Sequence, residues 1–301
     1  MKIFILSLLL GLFTSNDGRA QGDFSKVEIK AQRVSGAIHM LTGMGGNIGV
    51  SAGADGILMV DDQFQPLNQK IRTALKKIKD APVKFLINTH WHFDHTGGNT
   101  EFGGDSVIVA HENVRKRLSK DQFIDFFQRE IKATPKVGLP VVTFKESLSI
   151  HFNGEEVKVL HFPKGHTDGD AVIHFVKSNV VHMGDHFFAG MFPFVDVQHG
   201  GNVVGYANNV ESVLKMVPDD VAIIPGHGPL STKKDLQTFL GMLRDSIAFV
   251  EKGVEEKQSL AQIQKLSLPA KLVPYSKGFI KPDQWVKLVY DSLKERTKPT
   301  H

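Results

Sequence analysis

The sequence predicts an α/β protein in which two β-sheets pack face to face and helices cover their outer faces. Three observations carry this. Strand-like segments occur in both halves of the chain, and each half is closed by helical ones, as layered sheets with outer helices require. The dipeptide Asn153-Gly154 joins two strand-like segments, a strong hairpin turn. No internal repeat or low-complexity linker divides the 301 residues, so 21–301 is read as one domain.

In chain order, Val27 to Ile29 and Ala37 to Leu41 read as short strands. Asn47 to Val50 and Ile57 to Asp61 form a second pair around the turn Gly53-Ala54-Asp55-Gly56. Pro66 to Lys79 is helical, because Leu67, Ile71, Leu75 and Ile78 recur at helical spacing. Val83 to Asn88 is a buried strand and Ser106 to Ala110 the next one. Glu112 to Ser119 and Asp121 to Lys132 read as helices. Ser147 to Phe152 pairs with Glu156 to His161, and Ala171 to Val176 with Asn179 to Met183. Val204 to Met216 is helical, Val221 to Ile224 a strand, and Thr232 to Glu251 a long helix. The tail from Leu260 to His301 reads as two further short helices, within a helical extension that begins near residue 255.

Residues 1–20 have the anatomy of an export signal. Lys2 supplies positive charge, Ile3 to Phe13 an apolar core too short to anchor in a bilayer, and Gly18-Arg19-Ala20 a small-residue cleavage site. The expected location is the periplasm or the cell exterior, with no membrane anchor after cleavage. The absence of cysteine excludes a lipid attachment site, a disulfide and a cysteine nucleophile. Net charge is +4 and no Lys/Arg block dominates, which argues against nucleic acid as an obligatory partner. A small-molecule substrate is expected, and the oligomeric state has no signature in the sequence.

The chemistry concentrates in Thr89-His90-Trp91-His92-Phe93-Asp94-His95, which sets three imidazoles and a carboxylate within six positions directly after the apolar strand. Imidazole and carboxylate together suit zinc and similar borderline cations. An extended chain at His90 and His92 points both rings to one side, and the turn at Gly97-Gly98 can bring Asp94 and His95 round to a second metal. His-x-His-x-Asp-His after an apolar strand resembles the signature of the metallo-β-lactamase fold superfamily. Gly165-His166-Thr167, the strand-end Asp185 and Pro225-Gly226-His227-Gly228 match that family's later motifs in order.

This resemblance implies a four-layer αβ/βα sandwich with the metal site at the sheet edge. It implies one metal on His90, His92 and His166, a second on Asp94, His95 and His227, and Asp185 as a bridging carboxylate. Zn²⁺, two per chain, is the cofactor expected. Two neighbouring cations would bring a shared water near neutral pKa as nucleophile and polarise a carbonyl, with Asp94 orienting the nucleophile. The implied activity is an exported hydrolase of an amide or ester carbonyl, a β-lactam or lactone being the expected substrate. Asp185 departs from dedicated β-lactamases of this fold, which carry Cys or Ser there. The alternatives are a mononuclear iron enzyme like the persulfide dioxygenases, or a thioesterase of the glyoxalase II type.

Close after Asp185 comes Phe187-Phe188-Ala189-Gly190-Met191-Phe192-Pro193-Phe194-Val195. Phe187, Phe188, Phe192 and Phe194 read as an apolar substrate wall, with core packing as the competing role. Met44, in Gly43-Met44-Gly45-Gly46, resembles part of a covering hairpin. Asp61 ends a strand that points toward the site and is a candidate brace for a ligand imidazole.

Overall fold

The computed structural model describes residues 23–296. Residues 1–20, expected from the sequence to be an export signal, lie outside the described residues. The chain forms β1 (Lys30–Ser35), β2 (Ile38–Thr42), β3 (Ile48–Gly53) and β4 (Gly56–Val60), then α1 (Asn68–Ile78) and β5 (Val83–Ile87). Two single-turn helices follow, α2 (Phe93–Thr96) and α3 (Asn99–Phe102), then β6 (Val107–His111) and α4 (Glu112–Leu118). A small ribbon of β7 (Gln122–Ile124) and β8 (Arg129–Ile131) precedes β9 (Val142–Phe144).

The second half contains β10 (Ser147–Phe152), β11 (Glu155–His161), β12 (Ala171–Phe175) and β13 (Val180–His182). Then come α5 (Val203–Met216), β14 (Ala222–Ile224), β15 (Ser231–Thr232), α6 (Lys233–Glu255), α7 (Leu260–Gln264) and α8 (Pro282–Arg296). The first sheet runs β1-β2-β3-β4-β5-β6-β9 and the second β10-β11-β12-β13-β14-β15.

Alternation along the strands builds the layers. In β4, Leu58 and Val60 face the other sheet while Ile57 and Met59 face α1. In β12, Ile173 and Phe175 enter the inter-sheet core, and Val172 meets the helices on the outside. Leu67, Ile71 and Leu75 cover the first sheet, and Tyr206, Leu236, Phe239 and Trp285 belong to the core outside the second. The result is the four-layer helix–sheet–sheet–helix arrangement expected.

Several elements differ from the sequence reading. Asp121 to Lys132 is not a helix: it is the β7–β8 ribbon, with a short 3₁₀ turn at Asp125–Phe127 and Gln128 at φ 48°. Its aromatic residues stand at helical spacing but also favour extended chain, and the left-handed Gln128 turns it back. Val27 to Ile29, expected as a strand, is not one, and the first strand is Lys30–Ser35. It is a mostly exposed edge strand and so lacks a strong alternation signal. The strands β9 and β15 are too short to show a period. In the tail, α8 is 15 residues rather than a short helix.

Candidate metal centre

The end of β5 delivers the motif. Asn88 to Trp91 leaves the sheet, His92 stays extended at φ −65°, ψ 148°, and α2 turns Asp94 and His95 back toward it. From the second sheet come His166 before β12, Asp185 after β13 and His227 after β14. All seven sequence-predicted positions meet. His90, His92, His166 and Asp185 form one buried group, and Asp94, His95 and His227 a second.

Asp185 stands between the groups. Its Oδ2 lies 3.7 Å from His90 Nε2 and 3.3 Å from His166 Nε2, while Oδ1 lies 3.1 Å from His95 Nε2 and 3.4 Å from His227 Nε2. One carboxylate oxygen therefore faces each group, the placement a bridge needs. Asp94 Oδ2 lies 3.7 Å from His95 Nε2 and 3.4 Å from His227 Nε2.

Each buried imidazole is fixed from behind. His90 Nδ1 meets Thr89 Oγ1 at 3.0 Å, His92 Nε2 meets Asp196 Oδ2 at 2.9 Å, and His166 Nδ1 donates to the Phe194 carbonyl at 2.8 Å. Asp61 braces His95 Nδ1 at 2.7 Å and also accepts from the Thr89 amide and hydroxyl. These contacts leave Nε2 of His90, His95 and His166, and Nδ1 of His92, toward the centre. Asp61 adopts φ 61° at the end of β4, a conformation its three hydrogen bonds hold in place. Two glycines give the ligands room. A Cβ on Gly46 would fall 2.1 Å from His95 Cε1, and one on Gly226 2.1 Å from Asp185 Oδ1.

The buried polar atoms test the fit to a cation. His90 Nε2 is buried without a hydrogen-bond partner, although it points into the cluster 3.7 Å from Asp185 Oδ2. Such atoms are costly unless something else binds them. His166 Nε2 and His92 Nδ1 approach to 2.8 Å, two nitrogens converging on the same space. The donors are imidazole and carboxylate, which fit a borderline divalent cation. Charges within the cluster follow. Burial holds His90 well below its ordinary pKa and lowers His166 to about 4. Burial also works against charge on His95, but Asp185, Asp94 and Asp61 outweigh it and hold that ring well above 6.5. Burial would raise Asp185, yet His95, His227, His90 and His166 pull it well below the usual carboxylate range.

A cavity of about 260 Å³ opens onto the cluster, lined by Gly45, His92, Asp94, Asp185 and His227, and by Phe93, Phe127, Phe188, Phe194 and Phe279. Phe188 stacks on His227 with ring centroids 4.8 Å apart. Of the predicted wall, Phe188 and Phe194 line this cavity. Phe187 and Phe192 turn into the core instead, Phe187 against Phe239 and Phe192 stacked on Trp285. Strand-like alternation sends neighbours to opposite sides, which composition alone does not reveal. Met44 packs toward the α1 core, and the adjacent Gly45 reaches the cavity. Three lining residues escaped the sequence reading: Phe93, inside the motif itself; Phe127, in the supposed helix; and Phe279, in the tail. Only Phe93 had a usable signal, its position between two ligands.

The metallo-beta-lactamase superfamily matches residues 51–227. Over 195 residues the chain is 28% identical to the probable metallo-hydrolase YqgX of Bacillus subtilis, covering 61% of this chain and 90% of that protein. Over 268 residues it is 24% identical to a linear primary-alkylsulfatase of a Pseudomonas species, covering 74% of this chain and half of that enzyme. The solved sec-alkylsulfatase Pisa1 from Pseudomonas overlays with a TM-score of 0.63 at 14% identity, covering 91% of this chain and 52% of that one. Among the described residues, no helix is long and apolar enough to cross a membrane.

Proposed function

Taking as premise that this chain belongs to the metallo-beta-lactamase superfamily of metallo-hydrolases, we propose that it is an exported dinuclear zinc hydrolase of apolar esters or lactones. The observation that carries this is the cavity: metal-ligand side chains form one side and five phenylalanines the other. No lysine or arginine is among its lining residues, and the cation beside it, Arg129, lies 3.7 Å over the Phe93 ring. The five phenylalanines favour an ester or lactone with an apolar substituent.

His90, His92 and His166 would hold one ion, Asp94, His95 and His227 the other, and Asp185 would touch both. When bound, the ions supply Lewis acidity and water acidified to near neutral pH. The chain supplies the rest. Asp94, at the cavity edge, would ligate through Oδ2, which faces His95 and His227, and orient incoming water by accepting its hydrogen bond at the other oxygen. The phenylalanines exclude bulk water and seat the apolar part of the substrate. Asp196, Thr89 and the Phe194 carbonyl keep the imidazoles aimed.

A second reading is hydrolysis of alkyl sulfate esters, favoured by the 24% identity to a linear primary-alkylsulfatase over 74% of this chain. The test is a metal count per chain with a parallel screen over esters, lactones, thioesters, β-lactams and alkyl sulfates. About two zinc ions with ester or lactone turnover supports the proposal. One iron per chain, or turnover confined to β-lactams or alkyl sulfates, overturns it.

A further inference from the structure

Beyond the ligand cluster, the ribbon β7–β8 separates two cavities. Its tip carries Phe126 and Phe127, whose ring centroids lie 5.0 Å and 4.8 Å from that of Phe194. Phe127 lines the metal cavity, Phe126 lines a second cavity of about 480 Å³, and Phe194 lines both. The wall between the two spaces is therefore made of aromatic side chains.

The second cavity has an apolar side of Ile124, Val195, Val197 and Leu288 of α8, and Asp125, Asp196, Gln198 and Lys294 also line it. At its edge Lys287 pairs with Asp291, so those charges cancel. The apolar side of this lining, continuous with the Phe126 and Phe194 rings, suits a hydrocarbon segment. The ribbon tip is held by few polar contacts. Its polar tie to the loop beneath runs through Gln198, which accepts from the Asp125 amide at 3.1 Å and donates to the Phe123 carbonyl at 3.0 Å. Phe123 and Phe127 stay 43% and 39% exposed. Ile124 and Ile131 anchor the two strands in the core and Arg129 lies 3.7 Å over the Phe93 ring, so the exposed tip, not the strands, is the part free to shift.

We propose that the cavity behind the ribbon receives the hydrocarbon chain of a long-chain ester whose ester group sits at the metal centre. Phe126, Phe127 and Phe194 form a wall that moves aside to join the two spaces. This inference rests on the ester-hydrolase reading of the site. Each methylene that enters raises affinity about fourfold. Substrate preference therefore climbs with chain length until the second cavity is full.

The experiment fills that cavity from α8, away from the metals. Wild type and Leu288→Trp are titrated with a fluorescent long-chain polyene methyl ester, and both are assayed on p-nitrophenyl butanoate and decanoate. In the wild type the polyene ester binds saturably and decanoate is preferred. In Leu288→Trp, polyene affinity and the decanoate-to-butanoate ratio of kcat/KM each fall at least about tenfold, through KM, as expected when two or more methylenes are displaced. Unchanged polyene affinity with an unchanged ratio overturns the inference and leaves the ester-hydrolase reading standing. Polyene binding that Leu288→Trp abolishes, with neither ester hydrolysed, overturns that reading and leaves the cavity assignment standing. Circular dichroism checks folding, and Leu288→Phe carries the same comparison if tryptophan unfolds the chain.

Discussion

The two ligand groups are chemically alike but physically different. His90, His92, His166 and Asp185 are all buried, and each of the three imidazoles has a polar partner behind it. In the second group only His95 is fully buried, held by Asp61, while Asp94 and His227 are 19% and 18% exposed. His227 rests on Phe188 by ring stacking. The first group is built for retention. The second, opening on the aromatic cavity, is built for access.

Complete metal removal tests both groups at once and should abolish hydrolysis. The comparison predicts the order: under graded chelation, the ion at Asp94, His95 and His227 leaves first, and activity falls with it. Metal content tracked against residual rate checks this, and loss from the buried group first would reverse the contrast.

The next largest effect is at Asp94. Asp94→Asn should lower kcat on the order of 10² or more while KM changes little, because its role lies in the transition state. Near-normal turnover with full metal content would remove that role. Asp185→Ser should weaken metal binding in both groups, because one oxygen faces each. It should also reduce ester or lactone turnover more than β-lactam turnover. Paired kinetics with metal analysis would show a loss confined to one group if Asp185 does not bridge.

A smaller and more selective effect belongs to Asp196. Asp196→Ala should reduce affinity of the buried group about 10–100-fold, as loss of a partner behind a ligand imidazole typically does, and leave the exposed group unchanged. The smallest effect is on the metal-free protein. His166 is lowered to about 4 and His90 is also depressed, so their contribution to stability is complete above 6.5 and is lost as pH falls through that window. His95 is raised, so its contribution is complete below 6.5 and is lost as pH rises through its folded value. Apo stability should therefore peak between the two. A monotonic melting profile would contradict the opposed charges assigned to the groups.

The ligands were legible because their residue types are few, carry their chemistry in the side chain, and cluster in short motifs. His90 to His95 is read from six consecutive residues, and Gly165-His166-Thr167 from three. The supports were harder to see. Asp61 could be proposed because it ends a strand, but Asp196 on His92 spans 104 positions and the Phe194 carbonyl on His166 is backbone, invisible to a search by residue type. Phe187, Phe188, Phe192 and Phe194 were legible as a group and not individually, since backbone direction decides which reach the cavity. The ribbon at 122–131 was misread because aromatic spacing fits a helix and a hairpin equally, and Gln128 in the left-handed region breaks the tie.

The ligands also come from both halves of the chain. His90, His92, Asp94 and His95 leave the first sheet, and His166, Asp185 and His227 the second. Asn47 already pins this seam, its side chain donating to the carbonyls of Pro225 and Gly228. An ion held by both halves is then a rivet through the same seam. It binds only when the sheets are docked, so free metal sets how firmly the sandwich stays shut. In a compartment poor in that metal the chain would lose its catalyst and the clasp between its halves together, and metal supply would govern its lifetime as well as its rate.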